Sequence, residues 1–364
     1  MTIHQVQIVH MTESLGGGVL QSILELSRVQ QRAGYRVLVV YLERKETPSA
    51  SELKRAFGDI DLLCLGNSSL KNVFRLGTFS LSIQKGQICI LHAHSSWAGL
   101  ALRVAATIAR SPEVLYTPHS FSFERKDINS FMRAAYYCTE LLLSRAKRSR
   151  ILGCSHRETE VANKISNRQA VYLGNYCESI GRKYGEETPF NELNTGRIIV
   201  YGAGRICTQK NPVRFASVAK RLESQCFFSW IGDGEQSAVF DNSEILTTGW
   251  VNREKLAQYF NAGDVLLLTS DWEGLPFTVI EALSCSKPVL AFEIEGIDEY
   301  VIDGINGYIV NSIDQAEKRI LELVNDPMLL ETLGANAGES FKKNYDLSIL
   351  EKNWEKIYRI KHEI

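Results

Sequence analysis

Two carboxylates, Glu273 and Glu281, stand eight residues apart in the stretch from Ser270 to Leu290, SDWEGLPFTVIEALSCSKPVL, with a Gly-Leu-Pro-Phe turn between them. Proline suits the first turn of a helix, because its missing N–H would have had no partner there. The stretch therefore predicts a helix opening near Pro276 and carrying Phe277, Ile280 and Glu281. Glu273 then lies in the loop before that helix and Glu281 about one turn inside it. The backbone N–H groups of Gly274, Leu275 and Phe277 would point into the same space, a seat for an anion. Carboxylates that accept hydrogen bonds from hydroxyls, beside amides that hold a phosphate, suit a nucleotide sugar. Taken alone, the same pair could be a solvated loop charge and a surface helix charge.

Arg205 and Lys210 stand five apart in RIIVYGAGRICTQKNPVRFASVAKRL, in a loop between a strand and a helix. As isolated surface charges they would mean nothing. Gly202-Ala203-Gly204 lacks the third glycine of a dinucleotide motif, and Gly16-Gly17-Gly18 is not spaced as one either. Glycine at a strand-to-helix turn still lets backbone approach a ligand closely. His92, His94 and His119 each follow a short apolar run, at strand ends where ligands bind in open α/β sheets. For His94 a satisfied structural role is the simpler reading. Trp250 could pack or could meet a ligand ring.

The elements that must position these residues repeat one unit. Residues 3–11 read as a strand, the glycine turn and Ile23, Leu24, Leu26 and Val29 as a helix stopped by Gly34, and VLVVYL as a buried strand. This β–loop–α–β order makes a Rossmann-like half. It continues through CILHAHSSWAGLALRVAATIA, VLYTPHSFSFER, ILGCSHRETEVAN and a last strand in AVYLGNYCES. Residues 178–196 are polar, carry Gly181, Gly185, Pro189 and Gly196, and read as a linker. A second Rossmann-like half follows, and residues 315–364 read as helical.

With 364 residues, 45% of them hydrophobic and 23% charged, the chain can bury two ordinary globular cores. No run of eighteen apolar residues occurs, and no basic-then-apolar leader opens the sequence, so a cytoplasmic location is expected. Eight scattered cysteines without a C-x-x-C fit reduced, packed thiols rather than disulfides or a zinc site. Charge is divided unevenly: residues 1–180 hold 22 Lys and Arg against 14 Asp and Glu, and the remainder is acidic. Arg145, Lys147, Arg148 and Arg150 could attract an anionic membrane surface or a diphosphate-linked acceptor, or form a solvated helix face. Nothing in this balance calls for a nucleic-acid partner.

The stretch from Ser270 to Glu281 resembles the E-x7-E signature of the retaining family 4 glycosyltransferases, which have the GT-B fold. Arg205 and Lys210 resemble the arginine–lysine loop with which that family clamps the donor diphosphate. Gly17 and Gly18 look like its glycine pair near the donor phosphate and sugar, and His119, in Thr-Pro-His-Ser, matches a histidine beside the donor hexose. Trp250 and Val251 match residues against the nucleotide base, and Gly296, Glu299, Gly304 and Gly307 fit the closing segment. Leu173-Gly174-Asn175-Tyr176 departs from the usual Pro-Asn-Gly-Val/Ile-Asp, and Cys285-Ser286 stands where relatives often carry glycine. The resemblance covers nearly the whole chain and is looser before residue 180.

What the resemblance implies is specific. Two Rossmann-like domains, 1–180 on the acceptor side and 197–345 binding the nucleotide sugar, would face each other across a cleft. A linker at 181–196 would join them, and a last helix, 346–364, would cross back to the first domain. His119, Glu273, Arg205 and Lys210 would carry catalysis. Gly17, Gly18, Arg205, Lys210, Trp250, Val251, Glu273, Gly274, Leu275, Pro276, Phe277 and Glu281 would hold the donor, with Glu281 on the ribose. The expected reaction moves a hexose, with retention and without a metal or cofactor, to a glycan hydroxyl. The acceptor implied is a lipid-linked oligosaccharide of bacterial surface polysaccharide, O-antigen or capsule, met at the inner face of the membrane. A UDP-linked donor comes first, although the residues themselves do not separate UDP, GDP and ADP. The rival readings are a nucleotide-sugar epimerase on the same scaffold and a non-catalytic nucleotide-sugar-binding subunit.

Overall fold

Short Val/Ile/Leu-rich runs, buried on both faces, alternate with amphipathic helices through the chain, the pattern of parallel sheets covered by helices. The computed structural model describes residues 7–83, 89–108, 114–145, 149–181, 196–274 and 276–358. The chain divides into two units, one of residues up to Tyr176 together with those from Leu347 onward, the other Cys177–Asp346.

In the first unit β1 (Gln7–Thr12), α1 (Gly17–Arg32), β2 (Arg36–Glu43), α2 (Ala50–Phe57), β3 (Asp61–Asn67), α3 (Leu70–Ile83), β4 (Cys89–His94), α4 (Ser96–Ile108), β5 (Val114–Thr117), α5 (Ser130–Ser144), β6 (Ser149–Gly153), α6 (His156–Ile165) and β7 (Val171–Tyr172) follow one another. They form a parallel sheet in the order β3-β2-β1-β4-β5-β6-β7. The order reverses between β1 and β4, so the loops that leave these strands diverge to opposite faces and open a crevice at their C-terminal ends. In register, His10 lies beside His92, Thr12 beside His94, and His94 beside Thr117.

The second unit contains β8 (Ile198–Ala203), α7 (Pro212–Leu222), β9 (Cys226–Ile231), β10 (Leu246–Thr247), α8 (Arg253–Ala262), β11 (Val265–Leu268), α9 (Phe277–Ser284), β12 (Val289–Phe292), β13 (Gly307–Val310), α10 (Ile313–Asn325) and α11 (Pro327–Asn344). Its sheet is again parallel, in the order β10-β9-β8-β11-β12-β13, and reverses between β8 and β11. Phe215, Trp230, Val265, Leu290 and Ile320 meet in its core. Most of the expected linker, 182–195, lies outside the described residues. Cys177–Gly181 belong to the second unit, where Ser179 Oγ donates to the Ser284 carbonyl at 3.2 Å.

The last helix, α12 (Leu347–Tyr358), joins the first unit. Leu347, Leu350, Trp354 and Tyr358 share a core with Ile23, Val29 and Tyr35. Trp354 meets Tyr35 edge to face at 5.1 Å between ring centres, a favoured aromatic geometry. Burial of such a face stabilises the helix far more than its intrinsic propensity does.

Arg150 is an interior residue of β6, only 2% exposed, and contributes nothing to a basic face. A charged residue next to other charges reads as surface, but β6 is covered on both sides of the sheet. Arg145 is exposed at the end of α5, while Lys147 and Arg148 lie outside the described residues.

Candidate active site

β8 and β11 are paired neighbours in the sheet, and the loops that follow them are tied to each other by hydrogen bonds near their strand ends. Asp271 N donates to the Gln209 carbonyl at 2.8 Å, and Thr269 Oγ1 donates to that of Lys210 at 2.7 Å. These bonds bring the predicted cation and carboxylate together: Lys210 Nζ lies 2.7 Å from Glu273 Oε1. Glu273 Oε1 also accepts from Ser270 Oγ at 2.7 Å, and Oε2 accepts from Gln209 Nε2 at 3.2 Å. Both charged side chains are largely buried, 13% and 10% exposed, where a charge interaction is screened little.

The loop holding Lys210 is built on close backbone approach. A Cβ at Gly204 would lie 3.1 Å from Lys210 Cε, and one at Gly232 would lie 2.2 Å from the Gly204 carbonyl oxygen. Gly204 in turn donates to the Ile231 carbonyl and accepts from Trp230 Nε1 at 2.9 Å. Gly204, Gly232 and Gly234 thus serve loop-to-loop packing, while a Cβ at Gly202 would strike the Trp230 ring at 2.6 Å in the core. Arg205 is exposed on the same loop.

Asn211 ends this loop in a left-handed conformation, φ 49°. Its side chain accepts from Arg214 N at 3.0 Å, capping α7, with Pro212 at the first helical position. Asn211 Nδ2 also donates to Asp271 at 3.2 Å, and Arg214 closes the triangle with Asp271 Oδ1 at 2.8 Å and the Thr269 carbonyl at 2.8 Å. The guanidinium rests 4.7 Å from the centre of the Phe292 ring. The motif reading did not single out Gln209, Asn211, Arg214, Ser270 and Asp271. The Asn-Pro step was their one local signal.

Glu281 lies inside α9, 4% exposed, and accepts from Arg253 Nη1 at 2.7 Å. Burial holds its carboxyl above the ordinary range, against the opposing pull of Arg253 and Lys210. Arg253 opens α8 directly after the loop bearing Trp250 and Val251, where Trp250 is 59% exposed. Pro276, with ψ 117°, is the N-cap of α9, so Phe277 is the first helical residue. Gly274 is half-buried, Phe277 is buried, and Leu275 lies outside the described residues.

In the first unit Gly17 begins α1 with φ 51°, a conformation glycine adopts without strain, and Gly18 follows exposed. Glu13, just past β1, accepts from Ala98 N at 2.9 Å and Ser95 Oγ at 2.7 Å and so anchors the start of α4. His94 ends β4. His119 follows β5 in a left-handed conformation, φ 54°, as does Ser120, whose N–H donates to Glu158 Oε1 at 2.7 Å. His94 Nδ1 and His119 Nε2 are 3.0 Å apart, and His10 Nδ1 and His94 Nε2 are 2.9 Å apart.

The clustering of His10, His92 and His94 invites a metal, but their ring nitrogens are already engaged. His10 Nε2 meets Gln30 Oε1 at 2.8 Å, and His92 meets Tyr358 Oη at 2.6 Å and Thr117 Oγ1 at 2.9 Å. Three ligands free to turn toward one ion are not presented. The chain does contain one Asp-x-Asp, Asp59-Ile60-Asp61, of a kind that elsewhere chelates a metal, and the metal-free expectation passes over it. It sits at the N-terminal start of β3, the wrong end of the sheet for the site, with Asp61 paired to Arg36 at 3.5 Å.

A family model described as "Glycosyl transferases group 1" matches residues 185–340, and one described as "Glycosyltransferase Family 4" matches residues 16–164. Between them they span most of the chain. The chain belongs to the family 4 glycosyltransferases of the GT-B fold. This glycosyltransferase is 28% identical over 298 residues to the Escherichia coli UDP-Gal:alpha-D-GlcNAc-diphosphoundecaprenol alpha-1,3-galactosyltransferase, across 74% of this chain and 75% of that one. It is 27% identical to an uncharacterized 41.2 kDa protein in the cps region of Klebsiella pneumoniae, across 87% and 89% of the two chains. Among solved structures, Anabaena HepE in complex with UDP and glucose superposes with a TM-score of 0.78 over 98% of this glycosyltransferase and 100% of that chain, at 17% identity. The enzyme is a transferase that uses nucleotide sugars, with relatives in polysaccharide synthesis.

Proposed function

We propose that this glycosyltransferase moves a hexose, with retention, from a UDP-linked sugar to a hydroxyl of a lipid-linked glycan in surface-polysaccharide synthesis. The observation that carries the donor half is the Lys210–Glu273 contact beside the buried Glu281. Lys210 and Arg205 hold the diphosphate, Glu281 takes the ribose hydroxyls, and Glu273 with the amides of Gly274, Leu275 and Phe277 orients the hexose. Pro276 shapes that turn, and Trp250 and Val251 meet the base. From the first unit, Gly17, Gly18 and His119 act on the sugar. The bond from the anomeric carbon to the diphosphate breaks, and its electron pair leaves with the phosphate, where the two cations stabilise it. The acceptor oxygen bonds the anomeric carbon from the same face, and its proton passes to the departing diphosphate. These cations do the work that a metal does elsewhere, so chelation is expected to leave turnover unchanged.

The acceptor half rests on the relatives and on one surface. On α5, Phe131, Ala135, Cys138 and Leu142 are exposed at helical spacing, Phe131 by 80% and Leu142 by 73%, and Arg133 and Arg145 are exposed on the same helix. Apolar side chains flanked by cations fit an anionic lipid surface, where a lipid-linked acceptor resides. Phe131→Ser with Leu142→Ser should abolish co-sedimentation with vesicles of phosphatidylglycerol. Unchanged sedimentation removes α5 from that role.

The donor is tested by thermal shift against UDP, GDP and ADP sugars and their free diphosphates, with Glu281→Ala alongside. A ligand at a hundredfold excess over its Kd adds about 2.7 kcal/mol of stability. UDP species stabilising the wild type but not the variant support the reading. No response from a folded protein overturns it.

A further inference from the structure

Gln30, His10, His94 and His119 form a continuous line of hydrogen bonds from the interior of the first unit to the end of β5. The first three are fully buried or nearly so, and His119 is half-buried. The line reads Gln30 Oε1 to His10 Nε2, 2.8 Å; His10 Nδ1 to His94 Nε2, 2.9 Å; His94 Nδ1 to His119 Nε2, 3.0 Å. His119 Nδ1 bonds to none of the described residues. Beside the line, His92 packs against His94 with ring centres 3.9 Å apart and the planes tilted by 38°, and is itself fixed by Thr117 and by Tyr358 of α12.

A neutral imidazole has one N–H and one lone pair, so each histidine in such a line passes on a direction. Gln30 presents a carbonyl oxygen, which only accepts. His10 must therefore donate from Nε2 and accept at Nδ1. His94 then donates from Nε2 and accepts at Nδ1, and His119 donates from Nε2.

We infer that Gln30, His10 and His94 are positioning residues that fix His119 as its Nε2–H tautomer, leaving the Nδ1 lone pair as an acceptor for a substrate hydroxyl. The substrate part rests on the proposed role of His119 at the sugar; the tautomer does not. Burial supports the neutral state throughout, lowering His10 and His119 to about 4 and His92 and His94 well below the ordinary histidine value. No acid lies in the line to protonate it. A hydroxyl that donates to Nδ1 is held more precisely than one facing a ring free to change tautomer or turn.

The test is 15N NMR of the full chain with labelled histidines at pH 7.5, where protonated and lone-pair ring nitrogens resonate far apart. His119 should show a protonated Nε2 and a bare Nδ1. In His94→Phe the His119 tautomers should mix, and in His94→Gln, whose amide both accepts and donates, the single tautomer should return. Gln30→Met tests the far end without touching His94. With donor and acceptor, His94→Phe should lower kcat roughly ten- to a hundredfold with KM within about twofold, and the Gln variant should recover most of it. A protonated Nδ1 in the wild type, or a His119 tautomer unmoved by His94→Phe and Gln30→Met, overturns the inference. A fixed tautomer in a protein that binds no nucleotide sugar would support the relay and sink the proposed role of His119 at the sugar instead.

Discussion

Lys210 Nζ and Glu273 Oε1 meet at 2.7 Å although they stand 63 residues apart, each carried by the loop that leaves one of the two strands flanking the sheet reversal. The carboxylate thus fixes the position of the cation. In the proposed site both cations face the leaving diphosphate, so Lys210→Ala and Arg205→Ala are each expected to cut kcat by on the order of a hundredfold or more. Single-turnover rates with a UDP-sugar measure this directly. Wild-type rates in both variants would remove the cations from the chemistry.

Glu281 and Arg253 make a different kind of pair, a buried carboxylate with a half-buried partner. Glu281→Ala should raise the UDP Kd by tenfold or more, an effect of about 1.4 kcal/mol, with the fold intact. Arg253→Ala leaves the buried carboxyl without its guanidinium and should destabilise the second unit by about 1–3 kcal/mol. Calorimetric UDP titration and urea melts separate the two effects. Equal loss of stability in both variants would mean that Glu281 is structural.

Asn211 combines a positive φ, a helix cap and a brace to Asp271. Asn211→Ala should cost about 1–2 kcal/mol from the lost cap, with added backbone strain. Asn211→Gly relieves the strain and should cost less. Hydrogen exchange across α7 in both variants gives the comparison, and the reverse ranking would refute it.

The histidines of the first unit predict acid sensitivity. Burial lowers His10 to about 4 and His92 and His94 well below 6.5. Their unfolded forms take up protons at higher pH than the folded ones do. Stability is therefore full above about pH 6.5 and lost as pH falls toward 4, by up to about 1.4 kcal/mol per pH unit for each group. Hydrogen-exchange protection in β1 and β4 should fall between pH 7 and 5, after correction for intrinsic exchange, while β8 and β11 change less. Parallel behaviour of the two sheets would contradict this assignment.

The parts of the site that are close in sequence were legible. Glu273, Glu281 and the turn between them lie within one loop and helix, and strands such as Val289–Phe292 are plain apolar runs. What the sequence hid depends on pairing across the sheet: Asn211 and Arg214 with Asp271, Arg253 with Glu281, His10 with His94. β3 carries no plain strand signal either, because its half-exposed residues show neither alternation nor a buried run. Arg150 misled for the opposite reason, a charge whose neighbours in sequence are charged and whose neighbours in space are not solvent.

Because α12 completes the core around Trp354, the first unit is assembled from residues that the ribosome emits before and after the whole of the second. During synthesis the second unit can close on its own contiguous chain, while the sheet of the first waits with the seat for Trp354 and Tyr358 empty. The first unit therefore cannot close its core until the second has been synthesised.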